Sequence, residues 1–141
     1  MSTNPEIIEQ RLKASGHRLT KTRKALLNTL ISSARPLSIE DMGAQLKVQG
    51  IAVNKTTIYR EVDFLLKQKL LEEVRLDPER RYYEFALGTH HHHIRCLSCG
   101  AIEDVSSTAL EQATKQVKAG TMYQVIDHMM EFAGLCPACQ R

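Results

Sequence analysis

Ser38-Ile39-Glu40-Asp41-Met42-Gly43-Ala44-Gln45-Leu46-Lys47-Val48-Gln49-Gly50 is followed by Ile51-Ala52-Val53 and then by Asn54-Lys55-Thr56-Thr57-Ile58-Tyr59-Arg60-Glu61-Val62-Asp63-Phe64-Leu65-Leu66-Lys67-Gln68. Ser38 with Asp41 three residues on forms a capping box in which Asp replaces the usual Glu. Met42 and Leu46 extend an apolar face toward Gly50, a C-terminal stop. Asn54 suits the next N-cap. Ile58, Val62, Leu65 and Leu66, spaced by three and four, form an inward stripe. Thr56, Tyr59, Arg60, Asp63 and Lys67 then face outward. The pattern predicts helices over 38–46 and 55–68 joined by a turn, a helix-turn-helix whose second helix presents the polar face. Thr and Tyr reach base edges or thymine methyls, and Arg reaches phosphates or guanine. A plain helical bundle with a solvated face would read the same way at this level.

Upstream, Ile7, Ile8 and Leu12 line a short amphipathic helix that ends near Gly16. Thr20 caps a further helix with the stripe Ala25, Leu26, Leu27, Leu30 and Ile31, stopped by Pro36. Downstream, Leu71–Leu76 and Arg81–Leu87 are β-like runs around the turn Asp77-Pro78-Glu79. A hairpin after a helix-turn-helix makes a winged helix, with Arg80 and Arg81 on the wing. Seven basic residues and no acid lie between Gln10 and Ile39. That imbalance suits a polyanion partner, although a solvated basic face would account for the charge alone.

The character of the chain changes at Gly88-Thr89, where we expect the domain boundary: residues 1–87, then 88–141. His90-His91-His92-His93-Ile94-Arg95-Cys96-Leu97-Ser98-Cys99-Gly100 concentrates imidazoles and thiols, and Cys136-Pro137-Ala138-Cys139 adds a second pair near the end. Two Cys-x-x-Cys pairs supply four thiolates, the donor set of tetrahedral Zn²⁺. The histidines cannot all bind that ion, so a nitrogen/oxygen site beside it is expected. In an extended run, His91 and His93 face one side and His90 and His92 the other. Strands are predicted over 94–96 and 101–105. A helix capped by Ser106 or Ser107 follows, with Leu110, Ala113 and Val117 on one side. A longer strand, Tyr123–Phe132, is expected to contain His128. So small an α/β unit gains from both zinc and self-association.

With 141 residues, 43% of them hydrophobic and 25% charged, the chain has an ordinary globular composition. No apolar run approaches the ~20 residues that span a bilayer. Met1–Glu6 lacks the features of a secretory signal, so we expect the cytoplasm, where thiols stay reduced and disulfides are disfavoured.

Three motifs in this order resemble the ferric uptake regulator family of metal-responsive repressors: the His90–Gly100 run, Thr56-Thr57-Ile58-Tyr59-Arg60, and Gly134-Leu135-Cys136-Pro137-Ala138-Cys139. The resemblance covers nearly the whole chain. It implies an α+β homodimer, with an N-terminal winged helix that binds double-stranded DNA operators and a C-terminal α/β dimerisation domain. It assigns Cys96, Cys99, Cys136 and Cys139 to structural Zn²⁺. It assigns Glu84, His91, His93 and Asp104 to a regulatory divalent ion, Fe²⁺, Zn²⁺ or Mn²⁺. It gives His90, His92, Glu111 and His128 a third site. Arg18, Lys55, Thr56, Tyr59 and Arg60 become the DNA-binding residues, with Arg18 in the minor groove. Many relatives take a regulatory ligand from a histidine just before the third helix, where this chain has Arg35-Pro36-Leu37. Glu72 could substitute, as an acid does in zinc-sensing relatives, but the hinge cysteine of those relatives is replaced here by Ala86. The expected activity is metal-dependent repression of metal-homeostasis genes at A·T-rich palindromes. The competing classes are a metalloenzyme, for which no His-Glu-x-x-His motif is present, and a metal-buffering protein without a DNA role.

Overall fold

The structure is a computed structural model that describes residues 4–86 and 90–141. The chain divides into two compact units, residues 1–89 and 90–141. The expected boundary at 87/88 lies outside the described residues, as does Leu87 at the end of the expected second wing strand.

The first unit is a winged helix. Helices α1 (Pro5–Ala14), α2 (Lys21–Ser32), α3 (Ile39–Val48) and α4 (Lys55–Lys67) pack around one apolar core. Each start is fixed by a side chain that satisfies an otherwise unpaired backbone N–H. Thr20 Oγ1 accepts from Arg23 N–H at 3.1 Å, and Asn54 Oδ1 from Thr57 N–H at 2.9 Å. The capping box is reciprocal: Asp41 N–H donates to Ser38 Oγ at 3.2 Å, and Ser38 N–H to Asp41 Oδ2 at 3.0 Å. Gly50, at φ +75°, carries the chain out of α3 in the left-handed region that favours glycine. The inward stripes meet in the core: Leu26 and Leu30 of α2, Met42 and Leu46 of α3, Ile58 and Leu65 of α4 are all buried. Each such side chain contributes about 1.5–3 kcal/mol. On α1, Ile8 and Leu12 are buried, while Ile7, expected on the same face, is half exposed.

The wing is a three-stranded antiparallel sheet of β1 (Leu37–Ser38), β2 (Leu71–Val74) and β3 (Tyr82–Phe85), in the order β1-β3-β2. The strand β1 is an addition to the expected hairpin. Two residues are too few for a periodic signal, but buried Leu37 pairs with Tyr83 and closes the sheet onto the core. The β2–β3 connection turns on Asp77, whose Oδ1 accepts from Glu79 N–H at 2.8 Å and Arg80 N–H at 3.2 Å. Register places Glu72 directly opposite Glu84.

The second unit holds β4 (His92–Cys96), β5 (Ile102–Val105), α5 (Thr108–Ala119), β6 (Phe132–Gly134) and a 3-10 turn at Pro137–Cys139. The sheet order is β5-β4-β6, antiparallel between β4 and β5 and parallel between β4 and β6. The expected strand Tyr123–Phe132 is not formed: residues 123–131 have no strand pairing, and pairing starts at Phe132. The alternating apolar residues there have nothing in a single chain to pack on, and Ile126 is 90% exposed. Helix α5 shows the same deficit. Ser107 caps it as expected, but none of its residues is buried, and Val117 of the expected apolar side is largely exposed.

Candidate metal centres and a candidate nucleic-acid face

One donor cluster is made of sulfur. Hairpin β4–β5 brings Cys96 and Cys99 to one end, and the chain after β6 returns Cys136 and Cys139 to the same point. All four Sγ atoms lie within 4.8 Å of one another. Cys99 and Cys136 Sγ are 3.7 Å apart, and the cysteines are free thiols. Tetrahedral zinc with Zn–S bonds of about 2.3 Å sets its sulfurs about 3.8 Å apart, so the donor set and its spacing fit that ion. The backbone N–H of Cys136 lies 3.4 Å from Cys96 Sγ. This contact, with help from the Cys99 N–H, pulls the Cys96 thiol down to about 6. At Cys139 a hydrogen bond from Ser98 favours the thiolate, but the crowding of Cys136 and Cys99 outweighs it and pushes that thiol up to about 11. Four thiols cannot all ionise this close together without a cation among them.

Alternation along the histidine run separates two nitrogen clusters. On one side of β4, His90, His92 and His128 converge within 4.8 Å, and His90 Nε2 faces His128 Nε2 at 3.1 Å. Nitrogens bound about 2.0 Å from a tetrahedral ion would be about 3.3 Å apart. His92 Nδ1 donates to the Met130 carbonyl at 2.9 Å, which leaves its Nε2 with a lone pair. Burial, then the neighbouring His90 and His92, lower the His128 pKa, so the ring favours the neutral form that a metal requires. Glu111 on α5 lines the same open pocket as these three rings without joining their close cluster.

On the other side, His91 and His93 lie with ring centroids 4.7 Å apart. Asp104 Oδ1 is 3.9 Å from His91 Nε2 and 3.8 Å from His93 Nε2. The cross-strand pairing of His93 with Asp104 sets this convergence. His93 is 1% exposed. Glu131, which the sequence did not single out, holds it from the other side: Oε2 lies 3.3 Å from Nδ1 and accepts the His93 backbone N–H at 2.9 Å. Its distance in sequence and the irregular backbone around it hid that role. In the first unit, Glu84 sits half-buried on β3, opposite Glu72.

The polar face of α4 is open. Thr56, Tyr59 and Arg60 are exposed, as is Arg18 after α1. Lys55, also exposed, donates from Nζ to Glu40 Oε1 at 2.9 Å. That hydrogen bond raises the lysine pKa and lowers that of the glutamate. Arg23 of α2 links α4 to the connection between α1 and α2. It pairs with Glu61 of α4 at 2.7 Å, donates from Nη1 to the Arg18 carbonyl at 2.7 Å, and lies 3.7 Å from the Phe64 ring centroid. Among the described residues, no helix is long and apolar enough to cross a membrane.

Residues 14–133 match the profile of the ferric uptake regulator family. The ferric uptake regulation protein of Bacillus subtilis (strain 168) is 24% identical over 143 residues, covering 99% of this chain and 96% of that protein. Among solved structures, the Helicobacter pylori ferric uptake regulator Fur, whose structure reveals three functional metal binding sites, has a TM-score of 0.82. It is 26% identical and covers 96% of this chain and 91% of its own. The ferric uptake regulator of Francisella tularensis with iron has a TM-score of 0.78 and 28% identity, covering 89% and 96%. Members of this family are transcriptional regulators and not enzymes. With the winged helix, the sulfur cluster and a profile match over most of its length, the chain belongs to the ferric uptake regulator family.

Proposed function

We propose that the protein is a metal-gated DNA-binding repressor of metal-homeostasis genes, acting as a homodimer in the cytoplasm on A·T-rich palindromic operators. The observation that carries this reading is the presence in one chain of an exposed Thr56–Tyr59–Arg60 row on a capped helix and two histidine clusters, each with one ring from the start of β4. A buffering protein has no use for the first feature, and a constitutive DNA-binding protein has no use for the second.

Cys96, Cys99, Cys136 and Cys139 would hold Zn²⁺ that pins the chain end to the β4–β5 hairpin. Structural zinc contributes on the order of 10–16 kcal/mol to folding, more than the net stability of most small domains. The regulatory ion, Fe²⁺, Zn²⁺ or Mn²⁺, would take His91, His93 and Asp104 from the second unit and Glu84 from the first. Nitrogen and oxygen donors without thiolate suit these borderline ions. Glu72 is proposed to complete the set. Two carboxylates directly opposite across a ladder repel each other, and a shared cation relieves that cost. His90, His92 and His128 would hold a third ion, with Glu111 closing on it.

When bound, the regulatory ion supplies a cross-link between ligands of the two units. The protein then does the rest by position. Fixing each winged helix against a dimer core sets two α4 helices about 34–36 Å apart, one turn of DNA. Tyr59 and Thr56 read base edges in the major groove, Arg60 and Lys55 hold phosphates, and Arg18 enters a narrow A·T-rich minor groove. This is a population shift, so its size is set by how much better the ordered state binds the ion. The exposed apolar side chains of α5 and of 122–129 would be covered by the second copy.

The test is a gel shift of zinc-loaded protein on an A·T-rich palindrome, with Fe²⁺, Mn²⁺ or Zn²⁺ titrated at several salt concentrations. Binding should rise with metal and weaken with salt. Equal operator affinity after the non-cysteine sites are emptied would sink the proposal.

A further inference from the structure

Two carboxylates flank the buried His93 ring from opposite sides. Asp104 lies near Nε2 and Glu131 near Nδ1. An imidazole that binds an ion through one nitrogen must carry its proton on the other, and the acceptor at the second nitrogen decides which tautomer forms. A carboxylate at Nδ1 therefore keeps the proton there and leaves the lone pair on Nε2, the nitrogen that faces Asp104. Glu131 is itself held in place by the His93 backbone N–H at 2.9 Å. At 1% exposure of His93, water is not at hand to replace it.

The preceding residue does the same for a different ring. The Met130 carbonyl accepts from His92 Nδ1 at 2.9 Å, and His92 belongs to the cluster on the opposite side of β4 with His90 and His128. Consecutive residues thus orient one ring in each cluster. His128, two positions earlier, is itself a member of the first cluster. No strand ladder fixes residues 128–131, so contacts with the histidine rings help to set where this segment runs.

We propose that Glu131 is a positioning residue for metal binding at His91 and His93, and that the segment His128–Glu131 couples the two histidine clusters. Filling the His90, His92 and His128 cluster fixes the segment, which sets Glu131 and with it the His93 ring. By linkage, each cluster raises the affinity of the other by the same factor. The inference rests on the proposed reading that both clusters hold metal, and it concerns affinity and not DNA.

The experiment uses full-length protein carrying zinc at its cysteines, with Co²⁺ titrated and followed by its visible absorption. His91→Ala identifies which band belongs to the His91/His93 site. Glu131→Ala should weaken that site about 10–100-fold, and Glu131→Gln, which keeps an oxygen acceptor, should recover part of the loss. His128→Ala should weaken the same site several-fold in the wild-type background and have no further effect in Glu131→Ala. Nitrogen NMR of the histidine rings before Co²⁺ is added should show the Nδ1–H form of His93 in wild type and a mixture in Glu131→Ala. Retention of one zinc per chain shows that a variant is folded. Should Glu131→Ala lose that zinc, Glu131→Gln carries the test alone. Unchanged Co²⁺ affinity in a zinc-retaining Glu131 variant overturns the positioning role. Unchanged affinity in His128→Ala overturns the coupling. If operator binding ignores metal while these affinities shift as expected, the repressor reading fails and this inference stands.

Discussion

Arg23 and Glu61 join α2 to α4 by two hydrogen bonds, Nε to Oε2 at 2.7 Å and Nη2 to Oε1 at 3.3 Å, with the side chains 14% and 15% exposed. The same guanidinium holds the Arg18 carbonyl. One side chain therefore fixes the proposed minor-groove residue against the proposed reading helix. Replacing Glu61 by Gln leaves a largely desolvated cation without its counter-charge, which costs about 2–3 kcal/mol given the residual exposure. Urea unfolding should show this loss in Glu61→Gln and Arg23→Met. Operator affinity should fall more than non-specific affinity, because the two contact points lose their fixed spacing. A uniform fall on all DNA would argue against the spacing role.

The ion pair between Lys55 and Glu40 makes a different prediction. An acid at the edge of the proposed DNA-binding face would oppose the phosphate field and occupies the lysine that would answer it. Glu40→Gln should tighten binding to any duplex and steepen the slope of log affinity against log salt by about 0.9, the equivalent of one more phosphate contact. Tyr59→Ala, by contrast, should cost about 1–3 kcal/mol on the operator alone. Gel shifts on specific and scrambled duplexes at several salt concentrations separate the two behaviours.

What could be read in advance followed the reach of the signal. The N-caps Thr20, Ser38, Asn54 and Ser107 and the inward stripe Ile58, Val62, Leu65 are local, and local rules placed them to within a residue or two. The Cys-x-x-Cys pairs declare their chemistry by spacing. Glu131 does not: its link to His93 crosses 38 residues and depends on a parallel pairing of β6 with β4 that no periodicity encodes. The segment 123–131 misled for a related reason. Its alternation marks side chains with something to cover, but a single chain supplies no surface to cover them.

The capping box gives a pH prediction. Burial raises the Asp41 pKa, but the Ser38 backbone N–H and then Arg35 and the Ser38 hydroxyl outweigh it, so the net shift is downward from its usual 3.8. A carboxylate depressed in the folded state contributes stability that is complete above the unfolded pKa and lost as pH falls through the folded one. Asp41→Ala should therefore destabilise the protein by about 1 kcal/mol at neutral pH. The gap between wild type and variant should begin to narrow as pH falls below the usual 3.8 and close only once it has passed the lower folded-state value. Thermal unfolding from pH 7 down to about pH 2 checks this, and a gap that does not narrow at all below the usual 3.8 would mean the cap does not act through its charge.

Zinc removal should separate the two units. The first has a contiguous apolar core of its own, whereas in the second no residue of α5 is buried and the last two cysteines only gather beside those of the hairpin. Cys99→Ser should lower bound zinc by one per chain and abolish the unfolding transition of the second unit. The first unit's helical signal and urea midpoint should stay near wild type. Loss of both transitions together would show that the winged helix depends on the zinc.

Self-association offers the last check. Met122, Tyr123, Ile126 and Met129 are each more than 70% exposed, within a few residues of one another and near exposed Val117 on α5. A soluble monomer seldom leaves so much apolar surface in one place, and at about 25 cal/mol per Å² its burial would drive pairing strongly. A charge in the centre of that surface would have to be desolvated on pairing, at a cost of several kcal/mol. Ile126→Asp should shift the protein from dimer to monomer in sedimentation at micromolar concentration without loss of its cysteine-bound zinc. It should also weaken operator binding by far more than it weakens binding to a half-site, since only the paired heads gain from the palindrome. A dimer that survives Ile126→Asp unchanged would place the interface elsewhere on the chain.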